Sequence, residues 1–276
     1  MQKIKVLDHG FVRLVDKMGS DESIVEAARE STSKGFLGWG PIHESYCDWG
    51  NLPASLKNDP EEDTACNCDA KPGDEKLLAY LYENRHDTPF EMAELVIQVQ
   101  APIFVFREWH RHRTQSYNEM SARYAPLPDV NYIPTVERLM IGGGHLNKQA
   151  ASVHGADPIT VDKAESFRRM LKAQYAQAEG LYQEALLGGV PKELARVVLP
   201  VGRYSRMRAK TNLRNWLAFL TLRADNSAQW EIRQYAYAVG HIISELFPRT
   251  WDLFLNHDRK KPVIDRDGFL RVLEAA

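Results

Sequence analysis

Several features that define other protein classes are scarce or missing in this sequence. Only 3 of its 276 residues are cysteine, and without an apolar signal core after Met1 this odd number argues against a disulfide framework. No apolar run approaches the roughly 20 residues that span a membrane. The 44% hydrophobic residues predict a soluble globular protein of one large domain or two. The missing signal core predicts a cytoplasmic location, and the missing apolar run predicts no membrane partner.

An excess of positive charge is also missing. The 35 Lys and Arg residues are balanced by 37 Asp and Glu residues, so the extended basic face typical of nucleic-acid binding is not indicated. No Gly-x-Gly-x-x-Gly motif follows a predicted strand, which argues against a Rossmann-type dinucleotide site.

Arginine and histidine, in contrast, are concentrated between Arg107 and Arg113. Three arginines and two histidines fall within these seven residues. A guanidinium group matches phosphate oxygens bidentately and stays charged at any working pH. The cluster therefore predicts a pocket for a phosphorylated small molecule.

Three other interpretations of the cluster stay open. Basic residues near a helix C-terminus can simply complement the helix dipole. Trp109 and Tyr117 can serve as stacking platforms for RNA. His110 and His112 have the spacing of a metal pair, although Arg111 between them would repel a cation.

The spacing of hydrophobic residues predicts helices and strands on both sides of the cluster. Strands are predicted over 11–15 and 94–100, and helices over 21–31, 75–82, 102–111, 162–187, 192–199, 212–223 and 228–247. Residues 36–74 and 141–159 lack either period and are predicted to be inserted loops. Within the first loop, zinc can be held by His43, Cys47, Cys66 and Cys68, but free thiols are the preferred interpretation, so no metal is predicted.

The residue order from Arg111 to Arg123 is more specific than the cluster. It reads Arg-His-Arg-x-x-Ser-x-Asn-Glu-x-Ser-x-Arg and resembles the signature of flavin-dependent thymidylate synthases. Three later segments resemble elements of the same family: Ala-Arg-x-x-Leu-Pro at Arg196, Asn-x-Arg at Asn212, and Leu-Arg-Ala-Asp-x-x-Ala-Gln-Trp-Glu at Arg223. The resemblance covers nearly the whole chain outside the two loops.

The resemblance implies a fold and a reaction. The expected fold is α+β, with a central, mostly antiparallel sheet flanked by helices, in a single domain over residues 1–276 of a homotetramer. The expected reaction is the reductive methylation of dUMP to dTMP, with 5,10-methylenetetrahydrofolate as carbon donor, FAD as hydride carrier and NADPH as reductant.

The resemblance also implies residue roles. The expected dUMP-binding residues are Glu108, Arg111, Glu119, Ser121, Arg123, Arg196 and Arg223. The expected FAD contacts are Ser31, His86, Thr88, Glu91, Arg111, His112, Arg113, Glu119, Asn212 and Arg214.

The predicted catalytic residues are Arg111, Ser121 and Arg223. The two arginines would polarise the uracil carbonyls. Ser121 is expected to donate a hydrogen bond to the nucleotide, because a serine nucleophile needs a positioned base. A thiolate nucleophile is not expected, since all three cysteines lie within residues 36–74.

Three residues depart from the family pattern. Glu108 stands where a glutamine is expected, and a carboxylate would repel a phosphate. Ala218 replaces an asparagine that often reaches the flavin, and Ser227 stands where some members carry histidine. Glu108 and Ala218 are the only support for an alternative, a noncatalytic nucleotide-binding relative.

Overall fold

The computed structural model describes residues 3–40, 73–141 and 159–256, together with Gly268. The three long stretches form two compact units. The first contains the described residues 3–17, 94–141 and 159–242, and the second contains residues 18–40, 73–93 and 243–256. Most of the two expected loops, with all four zinc candidates, lies outside the described residues. The single domain over residues 1–276 stays a prediction.

A five-stranded sheet forms the centre of the first unit. Its strands are β1 (Ile4–Val6), β2 (Gly10–Met18), β3 (Glu94–Pro102), β4 (Ser116–Glu119) and β5 (Tyr204–Asn212), in the order β1-β2-β3-β5-β4. The pairs β1/β2, β3/β5 and β4/β5 are antiparallel. The expected α+β fold with a central, mostly antiparallel sheet is therefore confirmed.

Strands β3 and β5 supply the core of the sheet. Side chains alternate between two faces along a strand, and Ile97 and Val99 on the buried face lie opposite Ala209 and Met207. On the other face, β5 exposes its charged residues, Arg206, Arg208 and Lys210. The predicted half-buried strand over 94–100 is confirmed, whereas β5 was not predicted.

Ten α-helices are described: α1 (Asp21–Arg29), α2 (Asp74–Glu83), α3 (Thr88–Glu91), α4 (Ile103–Trp109), α5 (Val136–Met140), α6 (Val161–Leu187), α7 (Lys192–Ala195), α8 (Leu213–Arg223), α9 (Trp230–Leu246) and α10 (Pro248–Asn256). The predicted helix over 192–199 is wrong in its second half, where a 3-10 turn, Arg196–Val198, replaces the α-helix before Pro200. Among the described helices, none has the length and apolar character needed to cross a membrane.

Helices α8 and α9 pack onto strand β3. The indole Nε1 of Trp216 donates to the carbonyl oxygen of Leu95 at 3.3 Å, and the Tyr235 hydroxyl donates to that of Gln100 at 3.0 Å. Both aromatic side chains are fully buried. These hydrogen bonds attach α8 and α9 to strand β3 of the sheet.

Two buried carboxylates organise the second unit. Asp21, at the start of α1, accepts hydrogen bonds from the backbone N–H and the hydroxyl of Thr250 at 3.2 and 2.6 Å, which ties α1 to α10. Asp74, at the start of α2, pairs with Arg29 and accepts from the Leu37 N–H at 2.7 Å. A buried carboxylate is tolerated when it is bonded in this way.

Candidate active site

The arginine-rich segment folds into a compact turn between α4 and β4. Trp109 is fully buried, and its Nε1 donates to Gln115 Oε1 at 2.9 Å. The Tyr117 hydroxyl lies 2.8 Å from the His112 carbonyl oxygen. Arg111 and Arg113 remain exposed on this turn. Because Trp109 has no accessible face, the interpretation of Trp109 as an RNA-stacking platform is wrong.

Arg223, the last residue of α8, reaches back to the end of α4. Its Nη1 donates to Glu108 Oε2 at 2.7 Å, its Nη2 to the Glu108 carbonyl oxygen at 3.0 Å, and its Nε to His112 Nε2 at 3.0 Å. The guanidinium group therefore fixes both side chains, a role beyond the helix-dipole explanation. We call Glu108, His112 and Arg223 the arginine network.

His112 is neutral within the arginine network. Burial and the adjacent Arg223 guanidinium lower the pKa of His112 from 6.5 to about 4. A neutral imidazole can accept a hydrogen bond on one nitrogen, as Nε2 does from Arg223. That nitrogen is not free to bind a metal, and among the described residues no group of three or more His, Cys, Asp or Glu side chains could hold one.

The lowered pKa of His112 predicts a pH dependence of stability. Between pH 6.5 and about 4, His112 is protonated in the unfolded state but neutral in the folded state. This difference in bound protons lowers the free energy of unfolding as the pH falls through this window. Thermal unfolding at pH 7 and pH 5 measures the difference. We expect His112→Gln to lose less stability on acidification than the unsubstituted protein, and equal losses would contradict the assignment.

A cleft of about 390 Å³ lies along α4, β4 and the start of β5. Its apolar lining consists of Ile103, Phe106, Met120, Ala122, Leu127 and Leu199. Its polar lining consists of Arg107, His110, Glu119, Ser121, Arg196 and Ser205. An apolar cleft with a few convergent polar groups is the usual form of a small-molecule site.

Of the two arginines predicted to hold the phosphate, Arg196 lines this cleft, whereas Arg123 is not among its lining residues. The Arg123 Nε lies 3.3 Å from Glu193 Oε2, and the Arg196 Nε donates to the Glu193 carbonyl oxygen at 3.3 Å. Both side chains of the Arg123–Glu193 ion pair are more than half exposed, and such pairs contribute about 1 kcal/mol or less. The Glu193 carboxylate therefore holds the Arg123 side chain only weakly.

The other predicted residues of the first unit lie as follows. Glu119 and Ser121 line the cleft with Arg196, whereas Arg111 and Arg113 are not among its lining residues. Asn212 caps α8, its side chain accepting from the Asn215 N–H at 3.0 Å. Arg214 is exposed in the first turn of that helix.

Four predicted FAD contacts belong to the second unit. Ser31 is exposed, and its hydroxyl donates to the Ala28 carbonyl oxygen at 3.1 Å. His86 is exposed, with its ring 5.6 Å from that of Tyr80. Thr88 and Glu91 are the first and last residues of α3. Their roles stay predictions.

Three polar cleft residues are absent from the predicted dUMP and FAD contacts. Arg107 lies on α4 and His110 directly follows it, within the arginine-rich segment. Ser205 lies on β5, and the weakly apolar sequence of β5 did not predict a strand.

Comparison with known proteins decides the family. Residues 13–249 match the family model described as thymidylate synthase complementing protein. The chain belongs to this family. Among its relatives, the flavin-dependent thymidylate synthase of Thermus thermophilus is 39% identical over 254 residues, which cover 92% of this chain and 78% of the relative. The flavin-dependent thymidylate synthase of Thermotoga neapolitana is 37% identical over 259 residues, covering 94% and 96%.

A solved structure of similar fold supports the same family. The crystal structure of a UMP/dUMP methylase, PolB from Streptomyces cacaoi bound with 5-Br dUMP, has a TM-score of 0.69 and 29% identity. The match covers 94% of this chain and 100% of that chain. The family resemblance inferred from the Arg111–Arg123 signature is confirmed.

The departures from the family pattern have local explanations at two positions. The Glu108 carboxylate is bonded to Arg223, so it does not present an unpaired negative charge to a phosphate. The Ser227 N–H and hydroxyl donate to Asp225 Oδ1 at 2.8 and 2.6 Å, closing the turn after α8. Ala218 is exposed on α8, and no contact explains its replacement of asparagine.

Proposed function

We propose that this protein methylates dUMP reductively to dTMP, using FAD, 5,10-methylenetetrahydrofolate and NADPH. The observation that carries the proposal is the cleft in which Glu119, Ser121 and Arg196 converge. These residues come from two separate segments of the chain, and both segments carry motifs of the family.

The nucleotide phosphate is assigned to Arg123 and Arg196. Arg123 pairs with the Glu193 carboxylate, Arg196 donates to the Glu193 carbonyl oxygen, and Ser121 accepts a hydrogen bond from the Arg123 N–H at 3.3 Å. Binding a remote phosphate fixes the position of the reacting ring. Ser121 serves as a hydrogen-bond group to the nucleotide.

Arg111 and Arg223 are assigned to the uracil carbonyls, where negative charge develops when a carbon adds to the ring. Arg223 is held by three bonds within the arginine network and keeps further N–H groups for a substrate. Preorganised donors of this kind typically contribute about 3–4 kcal/mol to a transition state. Neutral His112 adds no second positive charge beside Arg223, whose guanidinium is paired with the Glu108 carboxylate.

The chemistry of the proposed FAD contacts fits a flavin dinucleotide. Arg111 and Arg113 present exposed guanidinium groups beside the half-buried, neutral imidazole of His112, a combination suited to a pyrophosphate and an uncharged ring. The remaining contacts are proposed at Ser31, His86, Thr88, Glu91, Glu119, Asn212 and Arg214. When bound, the flavin supplies hydride transfer, and the chain supplies orientation and electrostatics.

We propose that the protein assembles as a homotetramer. Large apolar side chains are strongly exposed in the single chain, among them Leu187 at 88%, Val197 at 83% and Tyr124 at 80%. Apolar surface of this kind is typically buried between subunits. Sedimentation equilibrium measures the assembly, and a monomer that still holds FAD would contradict it.

Substitutions of Glu108 test the arginine network. Glu108→Ala removes the acceptor of Arg223 Nη1, and the loss of a charge-assisted bond is expected to lower kcat/KM for dUMP about tenfold. Glu108→Gln keeps an acceptor oxygen and should retain activity within about threefold. An alanine variant as active as the glutamine variant would show that Glu108 does not position Arg223.

The reaction itself is tested by chromatography of dUMP incubated with the FAD-loaded protein, NADPH and methylenetetrahydrofolate. We expect dTMP to form only when all components are present. Nucleotide binding without dTMP formation would instead favour the noncatalytic alternative.

A further inference from the structure

Ser205 carries a buried hydroxyl that has no hydrogen-bond partner among the described residues. The residue is only 2% exposed and lines the cleft. Burying an unpaired hydroxyl is unfavourable by about 1–3 kcal/mol, and such groups in folded proteins usually have a partner. The missing partner is therefore expected to come from the contents of the cleft.

Ser205 lies on β5, beside the segment that carries Glu119 and Ser121. Ser205 and Met207 share one face of the strand, and Met207 lies opposite Glu119 on β4. The Met120 N–H then donates to the Arg206 carbonyl oxygen at 2.8 Å, which holds the start of the Ser121 segment against β5. Glu119, Ser121 and Ser205 thus line one cleft from two adjacent segments.

The geometry points to Ser205 as a further nucleotide-positioning residue, whose hydroxyl hydrogen-bonds a polar atom of dUMP bound in the cleft. This inference rests on the proposed function. Packing alone does not explain the hydroxyl, because alanine would fill nearly the same space without an unpaired polar atom. The unpaired hydroxyl destabilises the free protein, and we expect it to form a hydrogen bond only in the complex with dUMP.

Ser205→Ala in the FAD-loaded protein separates these two effects. Without nucleotide, the thermal midpoint should stay unchanged or rise, since an unpaired polar group has been removed. Calorimetric titration with dUMP should show about fivefold to tenfold weaker binding, the usual range for one lost hydrogen bond. In turnover, KM for dUMP should rise with kcat within about threefold, because the bond is made in both ground and transition states.

Thr211→Val is the matched control on the same strand. Thr211 is also buried, but its hydroxyl donates to the Thr114 carbonyl oxygen at 3.1 Å. Loss of this hydrogen bond should lower the thermal midpoint measured without nucleotide. The dUMP dissociation constant should stay within about twofold of that of the unsubstituted protein.

An unchanged dUMP dissociation constant in Ser205→Ala would overturn the role of Ser205. If the thermal midpoint also fell, the hydroxyl would be structural. If the unsubstituted protein itself does not bind dUMP, the proposed function fails instead, so the two failures are distinguishable.

Discussion

Replacing Arg223 by lysine is expected to lower kcat/KM for dUMP about 100-fold while the protein stays folded. Arg223 donates to the Glu108 carboxylate, the Glu108 carbonyl and His112 at once. Lysine keeps the charge but cannot reproduce this planar set of donors, and it would leave Glu108 and His112 without a fixed partner. Steady-state kinetics with varied dUMP measure the loss.

Arg208→Lys is the control for this substitution. Arg208 is exposed and points to the other face of β5 from Met207 and Ala209. The kcat/KM of the Arg208→Lys variant should therefore match that of the unsubstituted protein. An Arg223→Lys variant within about threefold of the control would contradict the central position of Arg223 in the site.

Replacing Arg203 by methionine is expected to reduce the free energy of unfolding by about 3 kcal/mol. The Arg203 side chain is 1% exposed, donates to Asp129 Oδ1 at 2.5 Å and pairs with Glu179. Glu179 is itself only 16% exposed, so methionine would leave a largely buried carboxylate without its cation. Thermal or urea unfolding of the FAD-loaded protein measures the change.

Lys210→Met removes a surface ion pair for comparison. Lys210 lies 2.5 Å from Glu94 Oε2, with side chains 46% and 30% exposed. Such a pair contributes about 1 kcal/mol or less. Equal unfolding midpoints for Arg203→Met and Lys210→Met would show that the buried pairs of Arg203 add little.

The sequence predicts the signature segment well because its chemistry is local. The residues from Arg111 to Arg123 are contiguous, so their density and order are visible without the fold. The long helices α6 and α9 are also predicted, because their apolar residues repeat with the helical period. At these positions local preference and tertiary packing agree.

The sequence does not show which distant residues become partners. Glu108 looks unfavourable beside a phosphate because Arg223, which pairs with it, is 115 residues away. Strand β5 carries Arg206, Arg208 and Lys210 on its exposed face, and its buried face includes the small residues Ser205 and Ala209. It is a strand because β3 and β4 pair with it, and Ser205 could not be assigned to the cleft without that pairing.

The visible absorption spectrum of the purified protein tests the central claim most directly. The spectrum is followed anaerobically through the addition of NADPH, and then of dUMP with methylenetetrahydrofolate. The proposed reaction predicts a bound flavin band that bleaches with NADPH and returns only when both substrates are present. A protein that neither contains a flavin nor binds added FAD would contradict it.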